Sequence, residues 1–184
     1  MMTHKPLLVT LACALLSFTS AVAKPTAPAG ITQEEVDAAQ KAWGAALLDI
    51  SASYRKGGIA EAESKASKVL DHAYGYNLGP VLFKPTLTTA PNTFRTTREG
   101  ALAYFVGNNA KFPDKGFALK PWVKYEFENA AVQLHGDLAL TMGKVRLTDD
   151  SGKVTEVDKT WGFKKDDQGK LRIVLHHSSL PYKE

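Results

Sequence analysis

At Trp122 the hydrophobic period of this chain changes from that of a helix to that of a strand, and it does not change back. Upstream, Val36, Trp43, Leu47, Ile50 and Tyr54 follow one another at offsets of 7, 4, 3 and 4, a single apolar stripe at helical spacing. Downstream, Val123, Tyr125 and Phe127 alternate with Lys124, Glu126 and Glu128. Helices first and strands afterwards exclude a repeating strand–helix–strand plan. They leave an α+β domain in which N-terminal helices cover one face of a curved antiparallel sheet.

The punctuation residues divide the two halves. Thr32 with Glu35 three residues later forms a capping box that opens the first helix. Gly57-Gly58 closes it, and Ile59 to Ala73 makes a second helix with Ile59, Ala62, Ala66, Val69, Leu70 and Ala73 inward. Val81-Leu82-Phe83 before Lys84-Pro85 reads as an edge strand stopped by proline. A second capping box, Thr96 with Glu99, opens a short helix through Ala101, Leu102, Phe105 and Val106 that ends near Gly107. Asn108 to Pro121 is a loop. Beyond Trp122, turns at Gly136-Asp137, at 149–152 and at 166–169 separate about four strands, the last over Leu171 to Ser178.

The chain opens with export features. Residues 1–23 carry one charge in a short leading region, Lys5, then an apolar run from Leu7 to Phe18, then Ala21-Val22-Ala23. That is the plan of a secretory signal peptide cut after Ala23. The run is shorter than the roughly 18 residues a spanning anchor requires. A lipid anchor on Cys13 would need an apolar residue three positions before it, where Thr10 stands. Residues 24–31 then form a Pro/Ala/Gly linker, and 32–184 the domain. Cys13 is the chain's single cysteine, so the exported form has no disulfide and no thiolate ligand. Loss of Lys5 lowers the net charge from +4 to +3. So mild a charge, with both signs interspersed, does not suggest a nucleic-acid partner, and no membrane contact is expected after cleavage. Lys111, Lys115, Lys120 and Lys124 give the one local cationic bias and read as a solvated loop and strand edge.

The late strands carry a recognisable series: Gly136-Asp137, then Val145-Arg146-Leu147-Thr148, then Trp161-Gly162-Phe163-Lys164-Lys165-Asp166, then Leu171 through Pro181 with His176-His177-Ser178. In order and spacing it resembles the NTF2-like superfamily, within it the SnoaL-like proteins and the association domain of calcium/calmodulin-dependent kinase II. Phe83-Lys84-Pro85 and Arg98-Glu99-Gly100 are similar to elements of the family's helical half, so the resemblance spans about Gln33 to Pro181. It implies a cone fold with a pocket between helices and sheet. The kinase hubs line that pocket with three arginines; here the first position holds Arg146, the second Thr160 and the third Ser178. The segment from Gly75 to Thr93 is longer than the family norm.

The candidate residues follow. Arg146 would fork onto a carboxylate, or else pair on the strand surface with Glu156 or Asp158. With Thr160, Ser178, Trp161, Tyr104 and Tyr125 it would line a site for a small organic acid. Adjacent strand residues face opposite ways, so at most one of His176 and His177 enters the pocket. Parity with Leu171, Ile173 and Leu175 favours His177, whereas Arg146 and Ser178 favour the other parity. An isomerase, dehydratase or cyclase is the alternative, with His177 or Asp71 as base, acting without metal or cofactor; Glu99, Glu126 and Asp158 are the other acids. His72 and His135 lack metal-ligand spacing, and no G-x-S-x-G elbow or phosphate-binding loop occurs. Arg172 is expected on the surface. The third reading is an oligomeric interaction domain. Apolar residues on both strand parities, Leu140 and Met142 among them, point to a homodimer through the outer sheet face.

Overall fold

The computed structural model describes residues 30–88 and 90–184; the expected signal peptide and nearly all of the linker lie outside the described residues. The first helix, α1, spans Gln33–Ala73 and begins in the Thr32–Glu35 capping box. It is not straight. Gly58 has φ 73°, a conformation glycine adopts without penalty. Lys65 Nζ lies 2.8 Å from Asp49 Oδ2, although sixteen residues of straight helix would separate them by about 24 Å. The two arms therefore fold back on each other, and the break falls at the expected glycine pair. Val36, Gln40, Trp43, Gly44, Leu47 and Ile50 are buried on the first arm, and Ala62, Ala66 and Leu70 on the second. Tyr54 and Ile59, expected inward, flank the bend and are each 38% exposed.

The short strand β1 (Leu82–Lys84) precedes α2 (Arg98–Val106). The cap of α2 is Thr97, whose hydroxyl accepts from Gly100 N, rather than Thr96; Glu99 instead binds Asn109 and Lys111. A turn of 3₁₀ helix at Phe117–Leu119 leads into β2 (Trp122–His135), β3 (Leu138–Asp149), β4 (Val154–Lys165) and β5 (Leu171–Ser179). The sheet order is β1-β5-β4-β3-β2, antiparallel except where β1 runs parallel to β5. The α+β cone is therefore as expected. Among the described residues no helix is long and apolar enough to cross a membrane.

Two irregularities decide what faces inward. A register shift between Trp122 and Lys124 buries Trp122 and leaves Val123 half exposed. On β5, Ile173 pairs with Phe163 and Leu175 with Gly162, so Val174 is an extra residue, a bulge. Ile173 is inward before it. After it the parity flips, and His176 and Ser178 are buried while His177 is exposed. The expectation that His177 shares the inward parity of Ile173 is corrected by that single residue.

Candidate functional site

Between α1, α2 and the inner sheet face lies a narrow cavity. Its apolar wall comes from Trp43, Phe83, Phe105, Phe117, Val145, Leu147 and Val157, and its polar groups are Thr86, Tyr104, Lys159, His176 and Ser178. The sheet register builds it. Lys159 stands directly opposite Ser178, and Phe83 of β1 lies beside His176. Parallel pairing of β1 with β5 carries the following Pro85 and Thr86 over the end of β5, so the long 75–93 segment forms part of the cavity wall. The free volume is about 10 Å³, room for about one water molecule.

The polar groups fall into two connected sets. Thr86 Oγ1 and Ser178 Oγ are 2.5 Å apart, and Tyr104 lines the same cavity. In the second set the Trp43 indole N–H donates to Tyr74 Oη at 2.9 Å, Tyr74 Oη lies 2.8 Å from His176 Nδ1, and His176 Nε2 meets Lys159 Nζ. Phe83 and Trp161 sandwich the imidazole, each with its ring centroid 4.3 Å away. Burial disfavours charge throughout. It lowers the Lys159 amine to about 7 and holds the His176 imidazole well below its usual range. It also pushes the Tyr74 and Tyr104 phenols up.

Of the residues singled out in the sequence, Ser178, Tyr104 and, of the two adjacent histidines, His176 reach the cavity. Trp161 supports it from behind His176. Tyr125 is on the inner face against Trp43, with its ring centroid 5.7 Å from that of Trp43, and its buried hydroxyl has no hydrogen-bond partner among the described residues. Arg146 is not in the cavity. On β3 the inward positions are Val145 and Leu147, so Arg146 projects outward, where Nε donates to Glu156 at 2.8 Å and Nη1 to Glu128 at 3.3 Å. The strand-surface pairing is the one observed. Thr160 has the same outward parity, beside Lys144 and Asp158. His177 faces out for the reason given above. Asp71 is on the surface of α1 in an ion pair with Arg98 at 2.6 Å, which holds its carboxyl below the usual range, so it has no access to the cavity as a base. Arg172, expected on the surface, is buried; it pairs with Asp166 at 2.7 Å and donates to the carbonyl oxygens of Asp71 and His72.

Lys159, Thr86 and the central role of His176 were not read from the sequence. Lys159 did leave a trace, a charged residue between Val157 and Trp161 at the apolar parity of its strand. Outside the cavity, and sharing Tyr104 and Phe117 with it, runs an open groove of about 570 Å³ whose rim includes Lys115 and Lys120. Two of the four lysines of the cationic block thus flank the approach, while Lys111 and Lys124 pair with Glu99 and Glu126. Arg95, also unnoticed in the sequence, is buried and donates from both Nε and Nη2 to Asp114, which fixes the loop at the groove's edge. Among the described residues no three His, Cys, Asp or Glu side chains gather as a metal ion would require.

Residues 34–180 match the family model for metal-independent carbonic anhydrase. A metal-independent carbonic anhydrase from Nostoc sp. strain PCC 7120 is 59% identical over 170 residues, covering 92% of this chain and 83% of that protein. The crystal structure of a cyanobacterial iota-carbonic anhydrase complexed with bicarbonate superposes with a TM-score of 0.85 at 60% identity, over 89% of this chain and all of that one. A Xanthomonas campestris structure assigned provisionally to the calcium/calmodulin-dependent kinase II association domains gives 0.52 at 25% identity, over 91% of this chain and all of that one. The NTF2-like fold implied by the late-strand motifs is thus the fold of the chain.

Proposed function

The chain belongs to the metal-independent carbonic anhydrase family, and we propose that it interconverts carbon dioxide and water with bicarbonate and a proton in the cavity of Thr86, Tyr104, His176 and Ser178. One observation carries the reading: three hydroxyls converge in a space otherwise walled by rings and aliphatic side chains. Carbon dioxide is apolar and linear and suits such walls. Bicarbonate has three oxygens, one of them protonated, and needs donors as well as an acceptor. Hydroxyls serve as both. Donors aimed at the oxygens where negative charge develops lower the barrier most in a site shielded from water. The small organic acid expected from sequence becomes a small inorganic one, and hydroxyls take the place of the arginine anchor. The 10 Å³ cavity has to widen to admit bicarbonate, and the Tyr104–Phe117 ring pair shared with the groove is the natural place for that movement.

The test is carbon dioxide hydration, followed by stopped-flow indicator change with chelator-treated protein. Activity that survives chelation and falls on Ser178→Ala supports the reading; a rate no faster than buffer rejects it. Export with cleavage after Ala23 is part of the same proposal, and N-terminal sequencing of the secreted protein should begin at Lys24. So is a homodimer through the outer sheet face, where Met142 is 61% and Leu140 36% exposed; light scattering at the monomer mass across concentrations would count against it.

A further inference from the structure

The hydrogen-bond chain behind the cavity fixes the protonation state of Lys159. The Trp43 indole can only donate, so Tyr74 Oη accepts from it. Among the described residues the one proton of the Tyr74 hydroxyl then has a single partner, His176 Nδ1, and Nδ1 must accept. A neutral imidazole with an accepting Nδ1 carries its proton on Nε2, and that N–H points at Lys159 Nζ. Lys159 is therefore the acceptor, which requires the free amine. The reverse assignment, an ammonium donating to Nε2, would leave the Tyr74 proton without a partner in a residue that is 1% exposed. The indole rings of Trp43 and Trp161, with centroids 4.8 and 4.7 Å from Nζ, would favour an ammonium. Desolvating an ammonium costs more than such ring contacts return, and among the described residues Lys159 has no opposite charge to offset it, burial alone acting on its amine.

We propose that Lys159 is a site of reversible carbamate formation: its amine adds carbon dioxide that reaches the cavity. This rests on the carbonic anhydrase reading for the supply of carbon dioxide. The Nζ lone pair attacks the carbon, one C=O electron pair moves onto oxygen, and an N–H proton leaves to a buffer base in solvent. The product is the N-carboxylate and one released proton. The groups needed to hold it are in place. The His176 Nε2–H that faced the amine is a donor for a carbamate oxygen, and Ser178 stands opposite on β5 with its hydroxyl in the same cavity. The groups sharing the cavity with Lys159 that could gain or lose charge are His176 and Tyr104, with Tyr74 behind His176 and with His177 and Lys84 on the outer side.

An exposed lysine is about one part in a thousand free amine at pH 7.5, so Lys159 should be enriched on the order of several hundredfold in reactive form. The test is equilibration of the intact protein with carbon-13 dioxide and bicarbonate at that pH. Carbon-13 NMR reads the carbamate without any reagent entering the cavity, and trialkyloxonium trapping with peptide mass spectrometry then locates it. The expected result is label on the Lys159 peptide far above that on surface lysines such as Lys68, lost in Lys159→Arg. Should that variant misfold, the site-resolved distribution in the wild type decides by itself. A labelled α-amino terminus with an unlabelled Lys159 overturns the proposal, as does equal labelling of surface lysines. Oxygen-18 exchange on the same sample keeps the two readings apart. Hydration without label ends the carbamate alone, and label without hydration ends the carbonic anhydrase reading alone.

Discussion

On the outer face of the sheet, Arg146 pairs with Glu156 and Glu128, and Lys144 with Glu156 and Asp158, in ion pairs open to water. On the inner face stand Lys159, one residue from Asp158 on β4, and His176 and Ser178 on the neighbouring β5, buried and with no ion pair among them. The outer network keeps charge because solvent carries most of its cost, and such pairs contribute little. The inner set has shed charge, since a lone buried ion would cost several kcal/mol. What remains is a chain of neutral donors and acceptors. Polarity that is conspicuous in sequence thus lies on the face without the cavity, and the chemistry lies where charge is suppressed.

The largest expected effect comes from breaking the inner set. A hydrogen bond to a charged group is worth about 1.5–3 kcal/mol, so Ser178→Ala and Thr86→Val should each lower kcat/KM for hydration by about ten- to a hundredfold. Next is the stability cost of Lys159. Its folded form gives up the proton at about 7 and an ordinary lysine at 10.5. Between those values the unfolded chain binds the extra proton, so stability rises with pH through that window. Lys159→Met should therefore stabilise the protein by a few kcal/mol at pH 7, with the gain shrinking toward pH 10.5. Urea unfolding at both pH values checks this, and an equal gain at each would mean that folded Lys159 is charged. Smaller again is Gly44→Ala. A Cβ there would sit 1.9 Å from the Tyr125 ring, and such overpacking costs about 1–3 kcal/mol, readable as a lower Tm. Smallest is Arg146→Ala on the outer face, where hydration should stay within about twofold of wild type, as for other exposed ion pairs.

How much of this was legible depends on how local the cause is. The period change at Trp122, the capping box at Thr32 and the glycine break at 57–58 are local, and the elements follow them. Ser178 was reachable through the family pattern, and Tyr104 as one of the aromatic residues expected to wall a pocket. The inward histidine was not, because the Val174 bulge that flips parity leaves no mark in the sequence. Thr86 was hidden too: it reaches the cavity only through pairing of β1 with β5, some ninety residues later in the chain. Arg146 misled for a physical reason. Its guanidinium suits an anion, but Glu156 faces it across the β3–β4 register and already occupies it.

The most direct measurement is carbon dioxide hydration by chelator-treated wild type, Ser178→Ala and Arg146→Ala, compared at one pH by stopped flow. If the neutral inner face carries the reaction, wild type and Arg146→Ala should turn over alike while Ser178→Ala loses at least about tenfold. Loss of activity in Arg146→Ala with Ser178→Ala unaffected would contradict it and return the site to the outer, charged face.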